Sequence, residues 1–305
     1  MPKITTSDGT EIYYRDWGSG PPIVFSHGWP LTGAAWEAQM LFFNAKGYRT
    51  VAHDRRGNGY SDQPGTGNDV DTWADDLDAL INALDLRSAV LVGHSTGGGE
   101  LARYISRHGT SRVSKMVLLD SIVPVMMQRD GIVGGAPKSV IDSIRAGVAH
   151  DRSSFYQELS APFFGANRHG SAATQGMRDL FWFQGMLGGA KAQYETTYSW
   201  ELDYTADIAK CNVPLLVIHC EDDQIVPIDP TGRRVPAVVP HAILKVYPGG
   251  AHGIAIIDPE RVNADLLAFI NGEMKEVSEE VATERGPTAV TNARNPAPAG
   301  SQSSG

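Results

Sequence analysis

The chain has 305 residues, 42% of them hydrophobic and 20% charged, with a formal net charge of −9 and a pI near 5.4. That is the make-up of an ordinary soluble globular protein, and its acidity argues against nucleic acid or an anionic membrane surface as a partner. Two cysteines, Cys211 and Cys220, exclude a disulfide framework and suit a reducing cytoplasm, while the N-terminus lacks a signal-peptide core and no apolar run is long enough to span a membrane. From the N-terminus, Lys3 to Trp17 reads as two strands around the turn Ser7-Asp8-Gly9-Thr10. Ile23-Val24-Phe25 is a short buried strand running into Ser26-His27-Gly28-Trp29-Pro30. A helical pattern follows from Thr32 to Lys46, stopped by Gly47. A strand at Thr50 to His53 precedes a helix over Val70 to Leu84, and the strand Ala89 to Val92 precedes a helix over Gly98 to His108. Val113 to Leu119 is again β-rich. This alternation predicts a mostly parallel sheet wrapped by helices on both faces.

The rhythm breaks between Pro124 and Asp207, where a Gly- and Pro-rich stretch gives way to helical patterns rich in Phe, Tyr and Trp. Strands resume at Pro214 to His219 and Ala242 to Tyr247, and a closing helix covers Asp258 to Gly272. Residues 1–123 and 208–273 are therefore expected to form a core domain, and 124–207 an inserted helical cap. Residues 274–305, rich in Glu, Ser, Ala and Pro, have nothing to bury and are expected to be a disordered tail.

Gly93-His94-Ser95-Thr96-Gly97 stands between a strand and a helix, the layout of a nucleophile elbow. Small residues flank the serine because the turn is sharp, and the helix N-terminus behind it favours a developing oxyanion. A serine hydroxyl needs a base to take its proton and an acid to orient that base. Of nine histidines, His252 in Gly249-Gly250-Ala251-His252-Gly253 follows the last strand, at the sheet edge where such sites assemble. His108, His150, His169 and His241 read as surface residues, His53 and His219 as packing at strand ends, and His94 as structural. Four carboxylates compete for the acid role: Glu221, Asp222 and Asp223 after the strand ending at His219, and Asp120 at the end of the strand before it. The oxyanion donors are expected at the backbone N–H groups of Trp29 and Thr96, with Gly28 allowing close approach.

With these segments in view the chain resembles the α/β-hydrolase fold, and more narrowly the cofactor-free bacterial haloperoxidases, perhydrolases and aryl esterases. The resemblance is carried by His27-Gly28-Trp29-Pro30, by His53-Asp54-Arg55-Arg56-Gly57 with Ser61-Asp62-Gln63-Pro64, by the elbow continued as Gly97-Gly98-Gly99-Glu100, by Asp223-Gln224-Ile225-Val226-Pro227 and by Gly250-Ala251-His252-Gly253. It runs from about residue 3 to 272. The resemblance implies an eight-stranded, mostly parallel sheet flanked by helices with an inserted helical cap. It selects Asp223 as the acid beside Ser95 and His252. Cys220-Glu221 departs from the Gly-Asp usual there.

The implied chemistry is acyl transfer through a Ser-His-Asp triad, with no cofactor and no metal. Ser95 takes an acyl group from an ester or short carboxylic acid, and hydrogen peroxide or water accepts it, giving a peracid or an acid. Pro30 stands where this family is thought to favour peroxide over water. The acyl pocket is expected to use Trp29, Pro30, Ile122, Met126, Phe163 and Ile225. Expected partners are thus small molecules, with no nucleic acid and no membrane, while a homo-oligomeric state stays open. A plain esterase or lactonase, a carbon–carbon bond hydrolase, and a ligand receptor that keeps the fold are the competing readings. Dehalogenases and epoxide hydrolases are disfavoured because they need a carboxylate where Ser95 stands.

Overall fold

The computed structural model describes residues 1–274, so the tail expected over 274–305 lies, but for Met274, outside the described residues. Its strands are β1 (Lys3–Thr5), β2 (Glu11–Trp17), β3 (Pro22–Ser26), β4 (Arg49–His53), β5 (Ala89–His94), β6 (Val113–Leu119), β7 (Leu215–Cys220) and β8 (Ala242–Tyr247). They form one sheet in the order β1-β2-β4-β3-β5-β6-β7-β8, antiparallel at the β1–β2 and β2–β4 pairings and parallel from β4 onward. The helices are α1 (Glu37–Asn44), α2 (Val70–Ala83), α3 (Thr96–His108), α4 (Lys138–Phe163), α5 (Gln175–Leu187), α6 (Ala190–Thr196), α7 (Thr205–Ile208), α8 (Val235–Val238), α9 (Ile254–Ile257) and α10 (Pro259–Ile270). The alternation of strands and helices predicts this mostly parallel sheet between helices, and its eight strands are the α/β-hydrolase architecture that the resemblance implies.

Strands β5 and β7 bury every residue, which is why they read as unbroken apolar runs rather than as alternating ones. Their period-two geometry divides the core between two faces. Leu91, Leu215 and Val217 pack with Trp73, Leu77 and Ile81 of α2 and Leu101 and Ile105 of α3. Val92, Leu216 and Ile218 turn the other way, towards Trp36, Met40 and Phe43 around α1 and Val262, Leu266 and Phe269 of α10. Each such side chain, fully buried, stabilises the fold by about 1.5–3 kcal/mol. The loops at the C-terminal edge of the parallel strands are thereby held on a rigid base.

Several boundaries differ from expectation. The helix after β3 starts as a 3-10 turn at Gly33–Trp36, capped by Thr32, and α1 stops at Asn44. Helix α3 begins directly at Thr96, because Ser95 occupies the turn itself. Cys220 closes β7 instead of opening the loop. Between β6 and β7 the chain inserts α4 to α7, with α4 kinked at Asp151, and it also forms isolated bridges at Val125–Asp203 and Met127–Ala136. No helix among the described residues is long and apolar enough to cross a membrane.

Candidate active site

Ser95 has φ 54°, in the left-handed region that a non-glycine residue seldom occupies. Its N–H is tied to Leu119 O at 3.0 Å. Its side chain makes no capping bond to α3, so the hydroxyl is left for other work. The turn closes only because Gly97 lacks a side chain: a Cβ there would stand 2.3 Å from Ser26 O.

His252, fully buried, lies on the loop after β8. Its Nδ1 is 2.6 Å from Asp223 Oδ2. The other carboxylate oxygen, Oδ1, accepts the N–H groups of Ile225 and Val226, each at 2.8 Å. Burial pushes the Asp223 carboxyl up, but His252, His219 and the Val226 N–H outweigh it and hold the group below the usual carboxylate range. His252 Nε2 is buried with no hydrogen-bond partner among the described residues, an unengaged ring nitrogen of the kind a general base offers. The His94 ring lies 4.7 Å from that of His252, and Phe163 meets it edge-on at 4.9 Å. His94 Nε2 donates to His252 O at 3.0 Å, fixing the backbone at His252. Burial, and then the proximity of His252, bring the pKa of His94 down to about 3, so it is neutral.

The other acid candidates go elsewhere. Asp222 forms a two-bonded pair with Arg168 at 2.6 and 2.8 Å, and Glu221 pairs with Arg233 at 3.2 Å. Asp120 is buried, and its Oδ1 accepts the Cys220 N–H at 2.6 Å. Only Asp223 reaches Nδ1 of His252. His219, expected merely to pack, sits 3.7 Å from Asp223. His150, His169 and His241 are exposed, whereas His108 is half-buried against Asp75 at 2.8 Å.

Across the site, the loop after β3 presents Trp29. Its indole N–H donates to Gln193 O at 2.9 Å, and its ring packs on Tyr156 and Trp200 with centroids 5.5 and 5.2 Å away. Its backbone N–H has no acceptor among the described residues. Thr96, first in α3, has no intrahelical acceptor for its N–H, while its Oγ1 accepts the Trp200 indole N–H at 2.9 Å. Gly28 permits the approach, since a Cβ there would stand 2.7 Å from His94 Nδ1 and 3.0 Å from Ser95 Cβ. Gln193 Nε2 donates to Pro30 O at 3.4 Å.

Trp29, Ile122, Met126 and Phe163 share one buried apolar cluster, and Ile225 packs against it. The cleft of about 650 Å³ lies elsewhere, between Asn68, Asp71, Arg103, Lys191, Tyr198 and Leu202. It touches none of the expected site residues. A cavity of only about 10 Å³, lined by Leu31, Trp36, His94 and Phe163, includes one expected pocket residue but none of Ser95, Asp223 and His252.

Sequence reasoning did not find the support beneath the loop that carries Trp29. Glu100 is fully buried in α3. Its carboxylate receives Arg55 Nη2 at 2.6 Å, His53 Nε2 at 3.0 Å and Ser26 Oγ at 2.5 Å. Although burial pushes Glu100 up, Arg55 and His53 hold it well below the usual carboxylate range. Arg55 Nη2 also donates to His27 O at 2.8 Å, so the network anchors the loop carrying Trp29. A charge among Gly98, Gly99, Leu101 and Ala102, on what is otherwise the buried face of α3, was the available signal.

A family model described as alpha/beta hydrolase fold matches residues 21–259. The chain is 49% identical over 277 residues to a non-heme chloroperoxidase, CPO-A1, from Kitasatospora aureofaciens, covering 89% of this chain and 100% of that one. It is 44% identical over 274 residues to the bifunctional esterase/perhydrolase DCH of Acinetobacter calcoaceticus, covering 88% and 99%. A bromoperoxidase from Bacillus anthracis superposes with a TM-score of 0.84 at 33% identity, over 88% of this chain and 100% of that one.

Proposed function

We infer that this chain, which belongs to the alpha/beta hydrolase family, is a serine hydrolase with haloperoxidase/perhydrolase activity alongside esterase activity. The observation that carries the residue assignments is the buried His252–Asp223 pair at 2.6 Å, beside a serine on a left-handed elbow at a helix N-terminus. We assign Ser95 as nucleophile, His252 as base, Asp223 as acid, and the N–H groups of Trp29 and Thr96 as oxyanion donors.

Asp223 accepts a hydrogen bond from Nδ1–H, holding the proton on Nδ1 and so leaving the lone pair on Nε2. Nε2 takes the Ser95 hydroxyl proton as Oγ bonds the acyl carbon of an ester or short carboxylic acid. The oxyanion that forms is held by the two backbone N–H groups, each such donor contributing about 10²–10³ in rate. Collapse expels the alcohol or water, which leaves with the proton from Nε2, and an acyl-enzyme remains. Hydrogen peroxide then gives one proton to Nε2 and attacks the acyl carbon, and the peracid departs as the proton returns to Ser95. Water in place of peroxide gives hydrolysis. The released peracid, with a halide ion and a proton, yields the carboxylic acid and a hypohalous acid away from the site.

Trp29, Ile122, Met126, Phe163 and Ile225 form the acyl pocket in this reading, and Pro30 biases the acceptor towards peroxide. A cytoplasmic setting belongs to the same proposal, supported by two buried free cysteines. The test is a fluorophosphonate label followed by turnover of p-nitrophenyl acetate, then acetate, peroxide and bromide with a halogenation dye. Labelling and turnover are expected in the parent and lost in Ser95→Ala. Equal labelling of Ser95→Ala refutes the assignment, and ester turnover without dye bromination refutes perhydrolysis.

A further inference from the structure

Asp120 is the buried carboxyl that the reaction above does not use. It follows β6, next to β7, where its N–H donates to Ile218 O at 2.9 Å. Its backbone is left-handed at φ 43°, a strained conformation for a non-glycine residue that persists only when the surroundings enforce it. While Oδ1 is held by the Cys220 N–H, Oδ2 is buried with no partner among the described residues. Buried oxygens are nearly always bonded, so an orphan one asks for an explanation. One lies in its neighbours. A carboxyl oxygen of Asp120 and ring nitrogens of His94 and His252 all lie within 4.8 Å of one another, and the same holds for Asp120, His219 and Asp223.

From this juxtaposition we propose that Asp120 is a second acid for His252, a positioning residue able to take over when Asp223 is removed. The inference rests on the triad reading above. Asp120 and Asp223 approach His252 from adjacent strand ends, β6 and β7, so each can meet the ring from the same side of the sheet edge. Two carboxyls this close and this buried do not both ionise. Burial, and then the charge of Asp223, hold Asp120 well above the usual carboxylate range, whereas Asp223 is held below it. Asp223 therefore carries the charge and Asp120 the proton. The groups facing Asp120 are His94 from β5, His219 and Cys220 from β7, Asp223 from the loop after it and His252 from the loop after β8, with Arg261 of α10 acting on Cys220. Deleting the Asp223 carboxylate removes the repelling charge and opens space. Asp120 then releases its proton to solvent, and a side-chain rotation closes the remaining gap to His252.

The test is a double-mutant cycle on ester turnover. Asp120→Asn is made in the parent and in Asp223→Ala, and Ser95→Ala supplies the floor. Asp223→Ala is expected to stay at least tenfold above the floor, and Asp120→Asn is expected to cost at least tenfold more in that background than in the parent. The residual kcat/KM of Asp223→Ala should also fall at acid pH through an ionisation that the double variant lacks, which a merely structural Asp120 would not produce. Asp223→Ser keeps a short acceptor for the Ile225 and Val226 N–H groups while leaving the space beside His252 open, and serves as the background if Asp223→Ala does not fold. Equal costs in both backgrounds, or Asp223 variants at the floor, overturn the proposal. Turnover surviving in Ser95→Ala overturns the triad reading instead.

Discussion

Replacing Asp223 separates two jobs that one carboxylate performs. Oδ2 orients His252 at 2.6 Å, and Oδ1 accepts two backbone N–H groups at 2.8 Å. In Asp223→Ala both are lost. The corresponding aspartate of a well-studied serine protease is worth about 10⁴ in kcat, or about 5 kcal/mol. The expected loss here is about 10²–10⁴, the smaller figure corresponding to a compensating Asp120. For stability, an orphaned buried N–H costs about 1–3 kcal/mol. Val226 is buried and bears that cost in full, while half-buried Ile225 recovers part of it from water. Relief of the buried charge offsets some of the rest, leaving a net cost of about 2 kcal/mol and a Tm lower by roughly 5 °C. Asp223→Asn divides the two effects. Its amide oxygen still accepts from Ile225 and Val226, but its NH₂ faces Nδ1 and forces the proton onto Nε2, the wrong tautomer for a base. Asparagine should therefore restore most of the Tm and little of the kcat. Thermal melts and p-nitrophenyl acetate kinetics measure both. A kcat within tenfold of the parent in either variant refutes the reasoning.

Glu100→Gln leaves the buried Arg55 guanidinium unpaired and should cost about 3–5 kcal/mol at pH 7. Because the folded pKa of Glu100 lies below its ordinary 4.5, its contribution is present above that pH and is lost as pH falls through the folded value. The parent should thus lose more Tm than Glu100→Gln between pH 5 and 3, and parallel profiles would contradict this. Phe163→Ala empties a site 1% exposed that contacts His252, Phe164 and Phe181. It should cost about 3–5 kcal/mol and shift preference towards longer acyl esters, and an unchanged chain-length profile argues against Phe163 as a pocket wall. Pro30→Leu should lower peracid formation relative to ester hydrolysis severalfold, measured as the product ratio at fixed peroxide, and an unaltered ratio removes Pro30 from that role.

Local patterning determined the strands, the elbow and the loops that bear chemistry. Apolar runs too short for helices, closed by glycine or a turn, become buried parallel strands, and Gly93-His94-Ser95-Thr96-Gly97 bends sharply because a Cβ at Gly97 meets Ser26 O. These features depend on residues near one another in the chain. Position along the chain leaves the choice among carboxylates open, and only the resemblance selects Asp223. Glu221, Asp222 and Asp223 are consecutive and chemically alike, and Asp120 lies a hundred residues away. Only the β6–β7 register and the loop turning through Ile225 and Val226 send Asp223 to His252, Asp222 to Arg168 and Asp120 into the orphan position behind them. The same holds for Trp200 and Gln193, which leave the segment inserted between β6 and β7 to grip Thr96, Trp29 and Pro30, and for Glu100, whose charge is tolerable only where Arg55, His53 and Ser26 converge. Residue types and their spacing singled out the candidate residues; tertiary packing decided which of them meet, because a hydrogen bond or a buried charge is set by distance in space and not by separation along the chain.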